Sequence, residues 1–425
     1  MRRVLVVAFH FPPSVGTGTV RVTKFCKYLP EFGWQPVVLT TNRFGALESD
    51  AASHVHRAGD ALHRLVGRAP QRLFGRHSSP ASANSAVIPN ESWLGRLRDR
   101  IMVPDTKIGW FLPAVRLGQA LIRRCQPQLI FSSSPPETVH LVARYLHQHS
   151  GLPWVSDLRD GWLFEPPQPA LRQLPLRRSI ESWLEASVVR QANAVVTATA
   201  PIAADFRRRY SSAVRRVETI TNGFAEVEFA ELSRKRPPDG TFRLVHTGGL
   251  AASRQGTSAE AFWDGLATLR SMDPATPLRV HFVGNVAPWE QAAAEARGLA
   301  PIVSFLPPVS RREALQHQLD ADGLLLITAP GQMSVATLKL FDYIGAGVPI
   351  LALAKDNAAA QIIEQYGFGV TVPPDNPTAI AKALKDMLDC PPQARTTADW
   401  CVKRGYFEWH YLTGQLSQCF DSIVK

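Results

Sequence analysis

Short apolar runs alternate with amphipathic stretches along the first half of the chain. Runs typical of buried parallel strands lie at residues 4–9, 37–40, 129–131, 154–157 and 194–198. Stretches with the spacing of helices occur at residues 20–32, 114–125, 140–149 and 177–191. This alternation predicts an α/β domain built on a parallel sheet.

The same alternation begins again after a linker-like segment, RKRPPDG, at residues 234–240. Apolar runs lie at residues 242–246, 278–283, 303–306, 324–327, 350–353 and 369–372. We therefore predict two facing Rossmann-like α/β domains, residues 1–225 and 226–398, with a cleft between them. Residues 399–425 carry large apolar side chains at helix-like spacing, and we expect a C-terminal helix that packs back on the body.

Residues 44–103 interrupt the pattern as a basic insertion with poor strand signals. Between residues 51 and 103 there are eight arginines and three acidic residues, a local charge of +5. Two amphipathic pieces, 56–73 and 93–101, have the composition of helices that lie in a membrane interface. A solvated insertion that covers the domain is the alternative. Nucleic acid is not predicted as a partner, because aromatic residues are not interleaved as base stacking requires.

Composition narrows the class of protein. A length of 425 residues agrees with two domains, and a net charge of +11 indicates an anionic partner. The five cysteines form no CxxC pair, which is typical of a reducing compartment. No apolar stretch approaches the ~20 residues that span a bilayer. We expect a cytoplasmic protein with an anionic membrane surface as a further partner.

A glycine-rich turn, GTGTVR, follows the first strand. It lacks the third glycine of the dinucleotide fingerprint, and the second strand ends in Thr-Thr-Asn without a ribose-binding acid. Nicotinamide binding is therefore not predicted. Gly16 and Gly18 are expected to let the backbone approach a substrate phosphate or sugar, and a plain flexible turn is the alternative.

Charged residues follow the strand at 154–157. The carboxyl ends of strands are where open α/β sheets bind ligands. Arg159 is a candidate for bidentate contact with a phosphate, and Asp157 and Asp160 are candidates for positioning hydroxyls or accepting a proton. A buried Arg–Asp network that holds the loops is the alternative.

Residues 334–349, SVATLKLFDYIGAGVP, predict a helix that begins near residue 337 and ends at a glycine turn. Its N-terminus follows a buried strand and is therefore a candidate anion site. Asp342, further along the helix, is a carboxylate that can bind hydroxyls. An anion site beside such a group suits a nucleotide-sugar diphosphate, and a plain core helix is the alternative.

The second domain also has a glycine-rich first turn, which contains Gly248 and Gly249. Arg254 and Lys339 are the basic residues best placed to meet a diphosphate there. Two domains that each carry such a turn indicate an enzyme with its site in a cleft.

The motifs in chain order resemble the retaining glycosyltransferases of the GT4 type, which have the two-domain GT-B fold. The matching segments are FHFPPSVGTGTVR, SSSPPETVHLVA, PWVSDLRDGW, TITNGF, VHTGGL, HFVG and KLFDYIGAGVPIL. The resemblance covers almost the whole chain, and the pattern looks most like members that build bacterial cell-surface polysaccharides. The resemblance implies an acceptor-side N-terminal domain and a C-terminal domain that binds the nucleotide sugar.

Residue roles follow from that resemblance. The family has an E-x7-E motif whose second acid binds ribose, and Asp342, one methylene shorter, matches it. Ser334 occupies the position of the first acid, which would hold donor-sugar hydroxyls. Backbone amides that contact the diphosphate match Thr337 and Leu338.

Some of the basic residues of the family have a basic counterpart in this chain. Its Arg and Lys near the first turn of the C-terminal domain match Gly249 and Arg254, and Lys339 is a substitute for the missing arginine. A family histidine near the scissile bond matches Arg159. The N-terminal glycine turn matches the loop that meets donor phosphates and acceptor.

The implied reaction transfers a sugar from a UDP- or GDP-sugar to a hydroxyl of a lipid-linked or saccharide acceptor. The leaving diphosphate would deprotonate the acceptor, so the protein contributes orientation and charge. The resemblance implies no cofactor and no metal; a D-x-D match at residues 320–322 precedes a buried strand and is interpreted as incidental. A GT-B-fold sugar-nucleotide epimerase and a catalytically weak, membrane-recruiting scaffold are the alternatives.

Overall fold

A computed structural model of the protein describes residues 1–47, 54–60, 101–165, 174–211, 213–235, 240–250, 259–390 and 397–424. The chain divides into a first unit, Met1–Thr221 with Leu412–Lys425, and a second unit, Asn222–Tyr411. The predicted boundary, between residues 225 and 226, lies four residues later than this division.

The first unit is built on a seven-stranded parallel sheet. Its strands are β1 (Arg2–Val7), β2 (Trp34–Thr41), β3 (Val55–Ala58), β4 (Leu129–Ser134), β5 (Trp154–Leu158), β6 (Ala194–Thr197) and β7 (Val217–Thr219). They lie in the order β3-β2-β1-β4-β5-β6-β7. The chain turns outward in both directions from the β1–β4 pair, so the carboxyl end of β1 lies at a topological switch point.

Five described helices accompany this sheet. They are α1 (Thr17–Tyr28), α2 (Phe111–Cys125), α3 (Thr138–Ser150), α4 (Pro175–Gln191) and α5 (Ala200–Tyr210). The helix predicted at 20–32 begins at Thr17 and ends at Tyr28, and a 3-10 turn, Leu29–Phe32, follows it. The early end has a local cause, because Pro30 lacks the N–H and has the ring that an α-helix interior excludes.

Strand β3 corrects the predicted extent of the basic insertion. The insertion was predicted from residue 44, but residues 55–58 pair with β2 in parallel. The Arg57 side chain donates to the backbone oxygen of Pro12 at 2.6 Å, which ties this edge strand to the loop after β1. The amphipathic helix predicted from residue 56 is therefore wrong at its start. Residues 61–100, with most of both predicted amphipathic pieces, lie outside the described residues.

The second unit has a six-stranded parallel sheet. Its strands are β8 (Phe242–Thr247), β9 (Leu278–Val283), β10 (Val303–Leu306), β11 (Gly323–Ile327), β12 (Ile350–Leu353) and β13 (Gly369–Val372). The order β10-β9-β8-β11-β12-β13 puts a switch point between β8 and β11. Both sheets confirm the predicted two-domain α/β fold.

Eight helices are described after β8. They are α6 (Glu260–Met272), α7 (Pro288–Glu295), α8 (Arg311–Asp320), α9 (Leu338–Ala346), α10 (Ala358–Tyr366), α11 (Pro377–Asp389), α12 (Ala398–Gly405) and α13 (Trp409–Asp421). The predicted C-terminal helix is thus two helices. Residues 412–421 of α13 belong to the first unit, where Phe420 packs against Trp34 with ring centroids 5.4 Å apart. No helix in the described ranges is long and apolar enough to cross a bilayer.

Helix α9 is buried on nearly every side, which fixes the position of its N-terminus. Leu340, Phe341 and Ile344 lie in the core of the second unit. A Cβ added at Gly345 would lie 2.7 Å from ring atoms of both Phe224 and Phe229, so this position has no room for a methyl group. The helix ends where Gly347 adopts a left-handed conformation, with φ of 70°.

We expect Gly345→Ala to lower the free energy of unfolding of the second unit by about 1–3 kcal/mol, because the methyl overpacks the two rings. Gly405→Ala is the matched control, since nothing lies within 4 Å of a Cβ there. Urea unfolding, monitored through hydrogen exchange of peptides from this unit, measures the change in stability of both variants. Equal stability of the two variants would contradict the packing described for α9.

Candidate functional site

The turn after β8 is shaped by two close approaches. Gly248 has φ of 84°, and a Cβ there would lie 2.9 Å from Cε of Lys339. Both the left-handed conformation and the contact require glycine. The turn is also tied to the loop after β9, because the Leu250 amide donates to the Asn285 carbonyl at 3.2 Å.

The Lys339 ammonium joins this turn to α9. It donates to the Gly249 carbonyl at 2.8 Å and lies 3.1 Å from Nε2 of the buried His246. On the other side of that ring, Nδ1 lies 2.9 Å from the carbonyl oxygen of Leu325, which can only accept. His246 therefore carries its proton on Nδ1, and its Nε2 accepts from Lys339. One positive charge is thus held at the predicted diphosphate position.

The N-terminus of α9 adds a second group suited to anions. Thr337 is its N-cap and makes no side-chain capping bond, and the first turn of the helix carries no acidic residue. The Thr337 hydroxyl oxygen is buried without a hydrogen-bond partner among the described residues. Leu338, the other predicted amide donor, is the first residue of α9. Amides and dipole at such an end favour negative charge.

Asp342 faces a partner that the sequence did not reveal. The Arg311 guanidinium meets the Asp342 carboxylate as a fork, with N–O distances of 2.5 and 2.7 Å. Arg311 also donates to Glu228 at 2.9 Å. Burial by itself lowers the pKa of Arg311, but its hydrogen bonds to these carboxylates outweigh burial and raise it. The Asp342 carboxylate is therefore fixed in orientation by a two-point contact.

Ser334 lies half-buried in the loop between β11 and α9. The loop is held on both sides of this residue by the start of α10. The Ala358 amide donates to the Met333 carbonyl at 2.9 Å, and the Ala359 amide donates to the Val335 carbonyl at 3.0 Å. The backbone is thus well defined at Ser334, which matches the first glutamate of the E-x7-E motif. The side chain there is a hydroxyl instead of a carboxylate.

Two other candidate groups are Arg254 and the D-x-D pair at residues 320–322. Arg254 lies outside the described residues, so its role stays a prediction. The D-x-D pair lies at the amino end of β11 and is engaged locally. Asp320 accepts from the Lys235 amide at 2.6 Å, and Asp322 pairs with Arg234 at 2.6 Å. These contacts favour a structural role for both carboxylates.

The first unit carries a second uncapped helix start at its glycine turn. Gly16, with φ of 133°, precedes Thr17, the first residue of α1. Arg159 lies against this turn and donates to the Thr17 carbonyl at 3.1 Å. A Cβ at Gly18 would lie 3.6 Å from the His10 ring and 3.8 Å from the Arg159 guanidinium. The structure therefore brings together three of the predicted residues.

The surroundings of this turn are cationic. Burial, together with the charges of Lys107, Arg159 and Arg43, lowers the pKa of His10 to about 4. His10 is therefore neutral at pH 7. Asp160 is half-exposed and accepts from Arg159 at 2.9 Å. This arrangement favours an anionic group near the turn.

The Asp157 side chain is buried and belongs to a network of hydrogen bonds. Its carboxylate accepts from Arg21 at 2.8 and 2.9 Å and from the Ser133 hydroxyl at 2.6 Å. Arg21 also donates to the backbone oxygens of Ile220 and Thr221, both at 2.8 Å. The network joins α1, β4, β5 and the end of the first unit's sheet.

The predicted alternative of an Arg–Asp network is thus present, with Arg21 rather than Arg159 as the cation. A carboxylate that is fully buried and paired in this way positions its neighbours more readily than it exchanges a proton with a substrate. The contacts of Asp157 therefore favour a positioning role, while Arg159 and Asp160 stay candidates for direct contact.

Comparisons with known proteins agree with this organisation. Residues 16–223 match a family model described as a glycosyl transferase 4-like domain. The matched range begins at the glycine turn and covers the rest of the first unit's sheet. A search of curated protein sequences finds no match.

Solved structures resemble the whole chain at low identity. Sucrose-phosphate synthase from Thermosynechococcus elongatus is 15% identical with a TM-score of 0.64, over 99% of both chains. Anabaena HepE in complex with UDP is 14% identical with a TM-score of 0.64, over 99% of this chain and 100% of that one. WaaG, a glycosyltransferase involved in lipopolysaccharide biosynthesis, is 16% identical with a TM-score of 0.57, over 98% and 99%. These likenesses show the GT-B fold.

Removing Arg21 should destabilise the first unit by about 3–5 kcal/mol, because Arg21→Ala leaves the Asp157 carboxylate buried without its cation. Arg208→Ala is the control: Arg208 is exposed, and its partner Asp205 keeps Arg209, so a change of about 0–1 kcal/mol is expected. Urea unfolding followed by hydrogen exchange of first-unit peptides separates the two. If Arg21→Ala cost no more than Arg208→Ala, the network would not be a stabilising element.

Proposed function

We infer that the protein is a GT4-type glycosyltransferase, because residues 16–223 match the glycosyl transferase 4-like family. We propose that it uses a nucleoside-diphosphate sugar, with UDP as the favoured nucleotide. The sugar goes to a hydroxyl of a lipid-linked or saccharide acceptor with retention of anomeric configuration. The role proposed for this reaction is the assembly of a cell-surface polysaccharide.

One observation carries the donor assignment. In the second unit, the Lys339 ammonium, the unpartnered Thr337 hydroxyl and the N-terminus of α9 belong to one short segment beside the Gly248 turn. All of them attract negative charge. A diphosphate is the ligand that suits a fixed cation next to a helix N-terminus.

UDP is favoured as the nucleotide by the solved relatives. HepE has been solved with UDP, with UDP and glucose, and with UDP-glucose. In this chain Asp342 would bind the ribose hydroxyls, with Arg311 holding the carboxylate in place. Ser334 would contact the donor sugar through a hydroxyl, and Arg254 would add a second charge at the diphosphate.

The first unit supplies the groups proposed for the acceptor side. Arg159 and the glycine turn would bind an anionic group of the substrate, and Asp160 would orient a hydroxyl. Asp157 is held by Arg21, which makes it a poor nucleophile. This supports a reaction in which the leaving diphosphate, rather than a protein carboxylate, takes the acceptor proton.

We also propose that the reaction requires no metal or other cofactor. Lys339 and the N-terminal dipole of α9 would neutralise the diphosphate in place of a cation. The contacts of Asp320 and Asp322 support this, because both carboxylates are bound to neighbouring groups at the amino end of β11.

The acceptor is proposed to be presented at a membrane. WaaG, a structural relative, is involved in lipopolysaccharide biosynthesis. The net charge of +11 would favour an anionic surface. We therefore propose a cytoplasmic enzyme that works at the inner face of the plasma membrane.

Donor turnover tests the proposed function. The purified chain is incubated with a panel of UDP- and GDP-sugars and membrane extract, and release of nucleotide and transfer of labelled sugar are measured. We expect one UDP-sugar to be consumed, with the product retaining the donor's anomeric configuration. Turnover without any acceptor would favour an epimerase, and binding without turnover would favour a scaffold.

We expect Lys339→Met to weaken UDP binding roughly ten- to a hundredfold, as the loss of a charge-assisted contact predicts. Lys355→Met, at an exposed lysine after β12, should bind UDP as the wild type does. Isothermal titration calorimetry measures both. Unchanged UDP affinity in Lys339→Met would show that the diphosphate lies elsewhere.

For Asp342→Asn we expect the donor KM to rise about tenfold with little change in kcat, because ribose binding is shared by ground state and transition state. Asp386→Asn, at an exposed aspartate of α11, is the control. Steady-state kinetics with the preferred donor measures the effect. A kcat loss at constant KM would argue for a role of Asp342 in the chemical step.

A further inference from the structure

The solvent-facing side of α4 is apolar. Leu176, Ile180 and Trp183 are spaced i, i+4 and i+7, which puts them on one face of the helix. Their exposed fractions are 76%, 39% and 62%. We call these three residues the outer face of α4. Large apolar side chains on a helix of a soluble domain normally face the core, so this face is unusual.

The acidic residues of α4 face inward instead. Glu181 is fully buried and pairs with Arg177 at 2.6 Å. Glu185 is also buried and accepts from the Tyr210 hydroxyl at 2.7 Å and from the Leu163 amide at 2.8 Å. The helix therefore carries its negative charge inside the unit.

Cations border the outer face. Arg190 is exposed on the same helix, seven residues after Trp183 and therefore on the same side. The Arg144 guanidinium, from α3, lies 5.5 Å from the centre of the Trp183 ring and also donates to Ser187. The exposed side of α4 thus combines apolar side chains with positive charge, and both of its acids are turned away.

We propose that the outer face of α4 docks on an anionic lipid membrane. Leu176 and Ile180 would enter the acyl boundary, Trp183 would lie at the headgroup level, and the arginines would contact lipid phosphates. The charge arrangement favours lipid over a protein partner. Three apolar residues on one helix are also far fewer than the roughly 20–30 residues that each side of a stable protein interface contributes.

This docking surface rests on the proposed function in one respect: an acceptor held in a membrane would require the enzyme to bind there. It differs from the membrane segment that the sequence suggested, residues 44–103. It lies on a regular helix of the first unit, where its side chains are described. Vesicle binding and nucleotide binding are therefore separable properties of the chain.

The experiment is co-sedimentation of the full chain with vesicles that contain about 30% anionic phosphatidylglycerol, and with purely zwitterionic vesicles. The variant is Leu176→Ser, Ile180→Ser and Trp183→Ser together, all at exposed positions. Trp289→Ser is the matched control, at an exposed tryptophan of the second unit. We expect the variant to lose at least tenfold in partitioning to anionic vesicles, and the control to bind as the wild type does.

A second variant tests the charge. Arg190→Glu should reduce binding to anionic vesicles and lower its dependence on salt. UDP affinity, measured by calorimetry, should be unchanged in every variant, so a failure of docking is distinguishable from a failure of the proposed function.

Several outcomes would overturn the proposal. They are a wild-type chain that does not bind anionic vesicles, or a triple-serine variant that binds them equally well. A third is a variant that keeps vesicle binding but changes its mass in light scattering, which would identify the outer face of α4 as a contact between two copies of the chain.

Discussion

The proposed donor site depends on one ammonium group. Lys339 donates to the Gly249 carbonyl and to His246, and so it fixes the first turn of α9 against the turn after β8. The contact requires glycine at position 248, where a Cβ would meet the lysine chain. It also requires His246 to keep its proton on Nδ1. A diphosphate would meet a charge that is already in place, which lowers the cost of ordering the site on binding.

Charge pairs have a comparable role around both candidate sites; the pair is fully buried in the first unit and has a half-exposed arginine in the second. Arg21 holds Asp157 in the first unit, and Arg311 holds Asp342 in the second. Each pair comes from two elements that are far apart in the sequence and orients a carboxylate at the carboxyl end of a strand or on the helix after it. Removing one partner from the fully buried Arg21–Asp157 pair costs more than the pair contributes over an apolar core, so this arrangement favours position over stability.

The alternation of strands and helices was predictable from the sequence, because parallel strands buried on both faces read as apolar runs. The four-residue strand β3 was missed, since half of VHRA is polar. Arg21 left a usable signal: it lies on the buried face of α1 with Phe25 and Tyr28. Arg311 left none, because its pairing with Asp342 exists only once α8 and α9 have packed. Pairings across distant elements are decided by tertiary packing, which local patterns do not contain.

The most direct test of the donor site is a crystal structure of the chain with UDP bound. The account predicts diphosphate oxygens within hydrogen-bonding distance of Lys339 Nζ and the Thr337 hydroxyl, with ribose hydroxyls on the Asp342 carboxylate. A diphosphate bound away from the α9 N-terminus, with Lys339 still on Gly249 and His246, would contradict it.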